Sequence, residues 1–135
     1  MREILFRGKR ADSGEWVEAD VLQTRYHSGH IEYQIMPQTP VSSAYSVLPE
    51  TVGQYTGLTD KNGKRIFEGD ICKFKRFNDV HVGKVVFNVT TASFIMWYQP
   101  IVGAYGEKAT QKMLLSVCDN IEVVGNIHDN PELME

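Results

Sequence analysis

Apolar and polar residues alternate with period two through most of the chain, which predicts short strands rather than helices. Ile4, Phe6 and Gly8 alternate with Leu5 and Arg7. Ala11, Asp12, Ser13 and Gly14 then supply turn chemistry before the run from Trp16 to Leu22, the pattern of a hairpin. A turn at residues 26–29 leads to an alternating strand at 31–36. Pro37, Pro40 and Pro49 lack the ladder N–H, so the stretch between them reads as an irregular loop with one short strand at 45–48. Residues 51–55 read as a strand. The Asn62-Gly63 pair predicts a two-residue type I′ turn, with positive φ at both positions. Residues 71–76 alternate apolar and basic, sending Phe74 to a core and the lysines to water. Strands are predicted at 81–87, 93–98, 113–117 and 121–124, with an exposed loop at 99–110. Pro131 suits the first position of a short terminal helix capped by Asn130, and Ile127 and Leu133 are the apolar residues there expected to face the core.

No stretch of 12 residues shows helical periodicity. The fold expected is mainly β, in two parts. Residues 1–53 form a small antiparallel sheet lobe. Residues 54–135 form a small barrel of the Src-homology-three type with a short terminal helix, because short antiparallel strands joined by tight turns close readily and hide their edges.

Apolar residues make up 42% of the 135 and charged residues 23%, enough for a packed core. No apolar run approaches the ~20 residues of a membrane span, and the charged opening MREILFRGKR predicts no signal peptide. Cys72 and Cys118 are accordingly expected as buried thiols. The net charge of −3 argues against a strongly basic nucleic-acid binder. Its distribution is uneven: residues 51–86 carry seven Lys/Arg against four Asp/Glu, whereas residues 87–135 carry two against six. Such segments can complement one another within a subunit or between subunits.

Asp60, Asn62, Glu68 and Asp70, with Asp129 and Glu132 far along the chain, are the best carboxylate group for acid–base or cation chemistry. Ile71 stands where a calcium loop needs glutamate, and Asp and Asn are ordinary turn formers, so the turn reading is preferred. His27 and His30 stand apart from the two isolated cysteines, which is poor zinc spacing. There is no nucleophile elbow, phosphate loop or dinucleotide fingerprint, so no catalytic residue, metal or cofactor is assigned. Lys61, Lys64, Arg65, Lys73, Lys75 and Arg76, with Phe74 and Phe77 interleaved, form the best nucleic-acid case, the last five cations being the candidate binding residues. Trp97 and Tyr98 are adjacent and must point to opposite faces of a strand, so one of them lies outside the barrel and is a candidate interface residue.

Three blocks carry a family resemblance: residues 4–16 (ILFRGKRADSGEW), 55–71 (YTGLTDKNGKRIFEGDI) and 121–134 (IEVVGNIHDNPELM). They resemble the YopX family of small phage and prophage proteins. The resemblance implies a mainly-β fold, a phage or prophage origin and oligomer formation. It implies no established activity. The expectation is a non-enzymatic accessory protein of the host-cell cytoplasm, a homo-oligomer that binds a phage or host protein without a membrane. A single-stranded nucleic-acid binder is the alternative.

Overall fold

The computed structural model describes residues 2–37, 44–76, 78–99, 101–102, 107–108, 111–115 and 118–134. They fold as two compact units, Met1–Gly57 and Leu58–Glu135. The fold is mainly β, in several antiparallel sheets.

In the N-terminal unit, β1 (Phe6–Lys9) pairs with β2 (Trp16–Ala19) through the expected hairpin, and with the start of β6 (Gly53–Thr59). A second sheet holds β3 (Leu22–His27), β4 (His30–Ile35) and β5 (Tyr45–Val47). Ala19, Ile35 and Val47 form the buried centre, with Phe6, Val17, Leu22, Tyr33 and Val52 packed around it. Gly8 is required by close approach, since a Cβ there would stand 3.0 Å from Val47 Cβ. Residues 49–51 make a 3-10 turn (Pro49–Thr51), so the strand expected from residue 51 begins at Gly53. Thr51 is buried there, and its hydroxyl accepts from Lys9 N–H and donates to Leu48 O.

The C-terminal unit begins with the end of β6 and its partner β7 (Arg65–Phe67). A five-stranded antiparallel sheet follows in the order β13 (Gln111–Leu114), β10 (Ser93–Tyr98), β9 (Asp79–Asn88), β8 (Asp70–Arg76), β14 (Asp119–Asn126). Two two-residue strands, β11 (Ile101–Val102) and β12 (Glu107–Lys108), pair inside the region expected as loop. Ile66, Cys72, Phe74, Val85, Met96, Tyr98, Leu115, Cys118 and Ile121 form the core.

The expected closed barrel is not formed among the described residues. The sheet is open: β13 and β14 are its two edges and do not pair. The outer edge of β14 is shielded locally instead, because Lys61 N–H donates to Ile121 O (2.8 Å) and Asp60 Oδ2 accepts from Val123 N–H (3.0 Å). The terminal helix is a single 3-10 turn, Pro131–Met134. The Asn130 side chain turns back to accept from Asn126 N–H (3.3 Å). Leu133, expected in the core, is 40% exposed.

The turn at Asn62-Gly63 is also different from the one expected. Asp60 and Lys64 close it by Asp60 N–H to Lys64 O (2.7 Å), leaving Lys61, Asn62 and Gly63 as a three-residue loop. Gly63 has φ of +82°, and Asn62 is not among the described residues with positive φ. This is a type I turn followed by a left-handed glycine. The Asp60 carboxylate selects it, since Oδ1 accepts from both Asn62 N–H and Lys64 N–H at 2.9 Å.

Candidate functional site

The faces of the C-terminal sheet follow from its register, because residues directly opposite across a ladder share a face. Cys72, Gly83 and Tyr98 lie in one row on the core side. The next row, Ile71, Lys84 and Trp97, lies on the other side. Tyr98 therefore packs inward, its ring centroid 5.0 Å from both Phe74 and His81. Trp97 points away from that core and is half-buried, with Lys84 Nζ 4.6 Å from its ring centroid, a cation–π pair.

The basic residues of β8 divide the same way. Lys73 stands opposite Val82 and Glu122, and Lys75 opposite Val80 and Asp119, all on the Trp97 side. Arg76 falls on the core side, and its charge opposes part of the upward shift of the Cys118 thiol. Lys64 and Arg65 are exposed neighbours in sequence at the hairpin, so they diverge. The five cations singled out from the sequence thus do not form one groove. Lys73 and Lys75 instead join Lys61, Val80, Asn120 and Glu122 around a cleft of about 290 Å³. Val80 is 62% exposed, and Lys61 Nζ lies 3.3 Å from Glu122 Oε2. A bulge in β14 between Asp119 and Glu122, with Asn120 at φ of +50°, bends the strand at this point. Lys61 was singled out among the basic residues, whereas Val80 and Glu122 were missed because they reach Lys73 and Lys75 only through strand register.

Asp60, Asp70 and Asp129 among the carboxylate candidates hold the fold through hydrogen bonds. Asp60 is buried and accepts from the backbone N–H groups of Asn62, Lys64 and Val123. Burial pushes its carboxyl up, but the three N–H donors and the Lys64 charge outweigh it and hold the group below its ordinary value. Asp70, 1% exposed, accepts from Phe67 N–H at 2.8 Å. Asp129 accepts from the Asn126 side-chain amide at 3.1 Å. Among the described residues no group of three or more His, Cys, Asp or Glu is placed to hold a metal. His27 and His30 oppose one another across the β3–β4 turn in the N-terminal unit. Cys72 and Cys118 are free and buried in the C-terminal one. Burial, followed by Asp70 and Asp60, pushes the Cys72 thiol far up, and burial lifts Cys118 to about 11, so neither is a ready nucleophile.

Blocks 55–71 and 121–134 therefore meet. Asp60 and Lys61 grip β14, and Asn126 pairs with Asp70. Ile127 N–H donates to Gly69 O (2.9 Å), while Gly69 N–H donates to Val85 O (2.8 Å). This clasp coincides with two of the three blocks noted in the sequence, and the YopX protein family profile matches residues 5–135. The chain belongs to the YopX family. This YopX-family chain is also similar to the crystal structure of protein EF1440 from Enterococcus faecalis, with 23% identity, 100% of each chain covered and a TM-score of 0.53. That likeness shows a shared fold. No curated protein matches the chain. Among the described residues no helix is long and apolar enough to cross a membrane.

Proposed function

We propose that this YopX-family chain is a non-enzymatic phage or prophage accessory protein, acting in the host cytoplasm as an oligomeric protein-binding module. The observation that carries the reading is the outer face of the C-terminal sheet. It presents Trp97 held under Lys84, exposed Val80, and the ring of charge around the cleft. Aromatic anchors beside apolar and mixed-charge residues suit a protein partner. The charge pattern favours protein over nucleic acid. Three ammonium groups, Lys61, Lys73 and Lys75, face two carboxylates, Asp119 and Glu122, on the paired strand. A phosphate backbone would meet those carboxylates at every step along the groove. Single-strand binding through Lys64, Arg65, Lys73, Lys75 and Arg76 is the weaker reading, because these side chains point in different directions.

Light scattering combined with an oligo(dT) titration at physiological salt tests the proposal. The expected result is a particle mass that is a multiple of 15.3 kDa, with no oligo(dT) binding. A monomer that binds oligo(dT), with affinity falling steeply as salt rises, would overturn it.

A further inference from the structure

We propose that the cleft at Lys73, Lys75 and Val80 receives the C-terminal turn, Pro131–Met134, of a second copy of this chain. The inference rests on the oligomeric reading above and specifies which surfaces meet.

Each side has unsatisfied features that the other supplies. In the cleft, Lys61 is paired with Glu122, whereas Lys73 and Lys75 make no ion pair among the described residues. Val80 stands beside them, 62% exposed. On the turn, Leu133 is 40% exposed, and Glu132 next to it in sequence is also exposed. Docking would place the Glu132 carboxylate between the two lysines and Leu133 on Val80. The charge count selects this ligand over a polyanion. Lys61, Lys73 and Lys75 line the cleft with Glu122, and Asp119 stands opposite Lys75 on β14, so the positive excess is small and suits a single carboxylate.

The turn cannot fill its own cleft. It packs against β9, and the segment leading to it is tied to Gly69, whose N–H donates to Val85 O. Val80 lies at the far end of that strand, five residues from Val85, or about 16 Å at the usual rise. Cleft and turn are thus at opposite ends of one sheet. Two copies related by a twofold axis can exchange both contacts and close without leaving an open end.

A charge-swap cycle tests this by analytical ultracentrifugation, with circular dichroism confirming the fold of each variant. The variants are K73E/K75E, E132K, L133D and the combination K73E/K75E/E132K. The expected result is a dimer weakened about tenfold or more by K73E/K75E and by L133D, and recovered largely by the combination. The wild-type dimer should also weaken as salt rises. A wild-type oligomer indifferent to all four variants would overturn this docking and leave the oligomeric reading standing. A wild-type monomer would overturn both. Binding of oligo(dT) that K73E/K75E abolishes would assign the cleft to nucleic acid and overturn the proposal.

Discussion

Asp60 shows how much one turn residue can do. Its carboxylate closes the loop at Gly63 through two N–H donors and fastens β14 through a third, Val123, 63 residues away. The local half of that role was legible in the sequence, because aspartate before Asn-Gly marks a turn. The distant half was not, since nothing at Val123 announces an acceptor. Asp60→Asn should destabilise the C-terminal unit by about 2 kcal/mol or more, because an amide N–H₂ would replace the anionic acceptor of at least one buried donor. The pH dependence has a definite sign. The folded carboxyl is held below its unfolded value, so its contribution is fully present above the unfolded value and is lost as pH falls through the lower folded one. Urea midpoints of the wild type should therefore drop as pH falls below about 4, and the Asp60→Asn variant should lack that component of the drop. Parallel curves for the two proteins would assign the acid sensitivity to other groups.

At the scale of the element, strands were easier to read than turns, because alternation survives without tertiary context while loop geometry depends on what side chains reach back to hold. The strands at 71–76 and 93–98 appear with Phe74 and Tyr98 on the core face, as alternation requires. Asn62-Gly63 was misread because its backbone answers to Asp60 rather than to its own preferences. The short terminal helix begins at Pro131 as expected, but it is a single 3-10 turn, and the Asn130 side chain accepts from Asn126 N–H instead of capping it. The loop from Gly125 to Asn130 bonds largely to itself. Asn126 Oδ1 accepts from His128 N–H and Asp129 N–H, and Asn130 N–H donates to Asn126 O. Gly125 is needed there for space, because a Cβ would lie 2.6 Å from Asn130 Oδ1. Gly125→Ala should cost about 1–3 kcal/mol, as overpacking does, and Gly125→Ala with Asn130→Gly should recover part of it. Denaturant unfolding of the three proteins checks this; additive losses in the double variant would show that the clash is relieved elsewhere.

For the molecule as a whole, the open sheet changes why the C-terminal segment matters. In a closed barrel, the segment would contribute by burying Leu133. With Leu133 40% exposed, Leu133→Ala should shift stability by about 0.5 kcal/mol or less. The segment acts through its backbone. Gly125 and Asn126 complete the β14 ladder against Ile71 and Asp70, and Ile127 ties the bend at Gly69, which itself bonds to β9. Removing residues 125–135 would leave these groups on β8 and at Gly69 without partners, beside Ile71 and Asp70, which are 0% and 1% exposed. Each unpaired buried backbone group costs about 1–3 kcal/mol, so a few of them consume most of a small unit's stability. Truncation after Val124 should therefore abolish cooperative unfolding of the C-terminal unit and expose Cys72 and Cys118 to a thiol reagent that full-length protein resists. A truncated chain that melts cooperatively and keeps both thiols protected would make the segment a recognition tail. The same chain would then lose self-association without losing its fold.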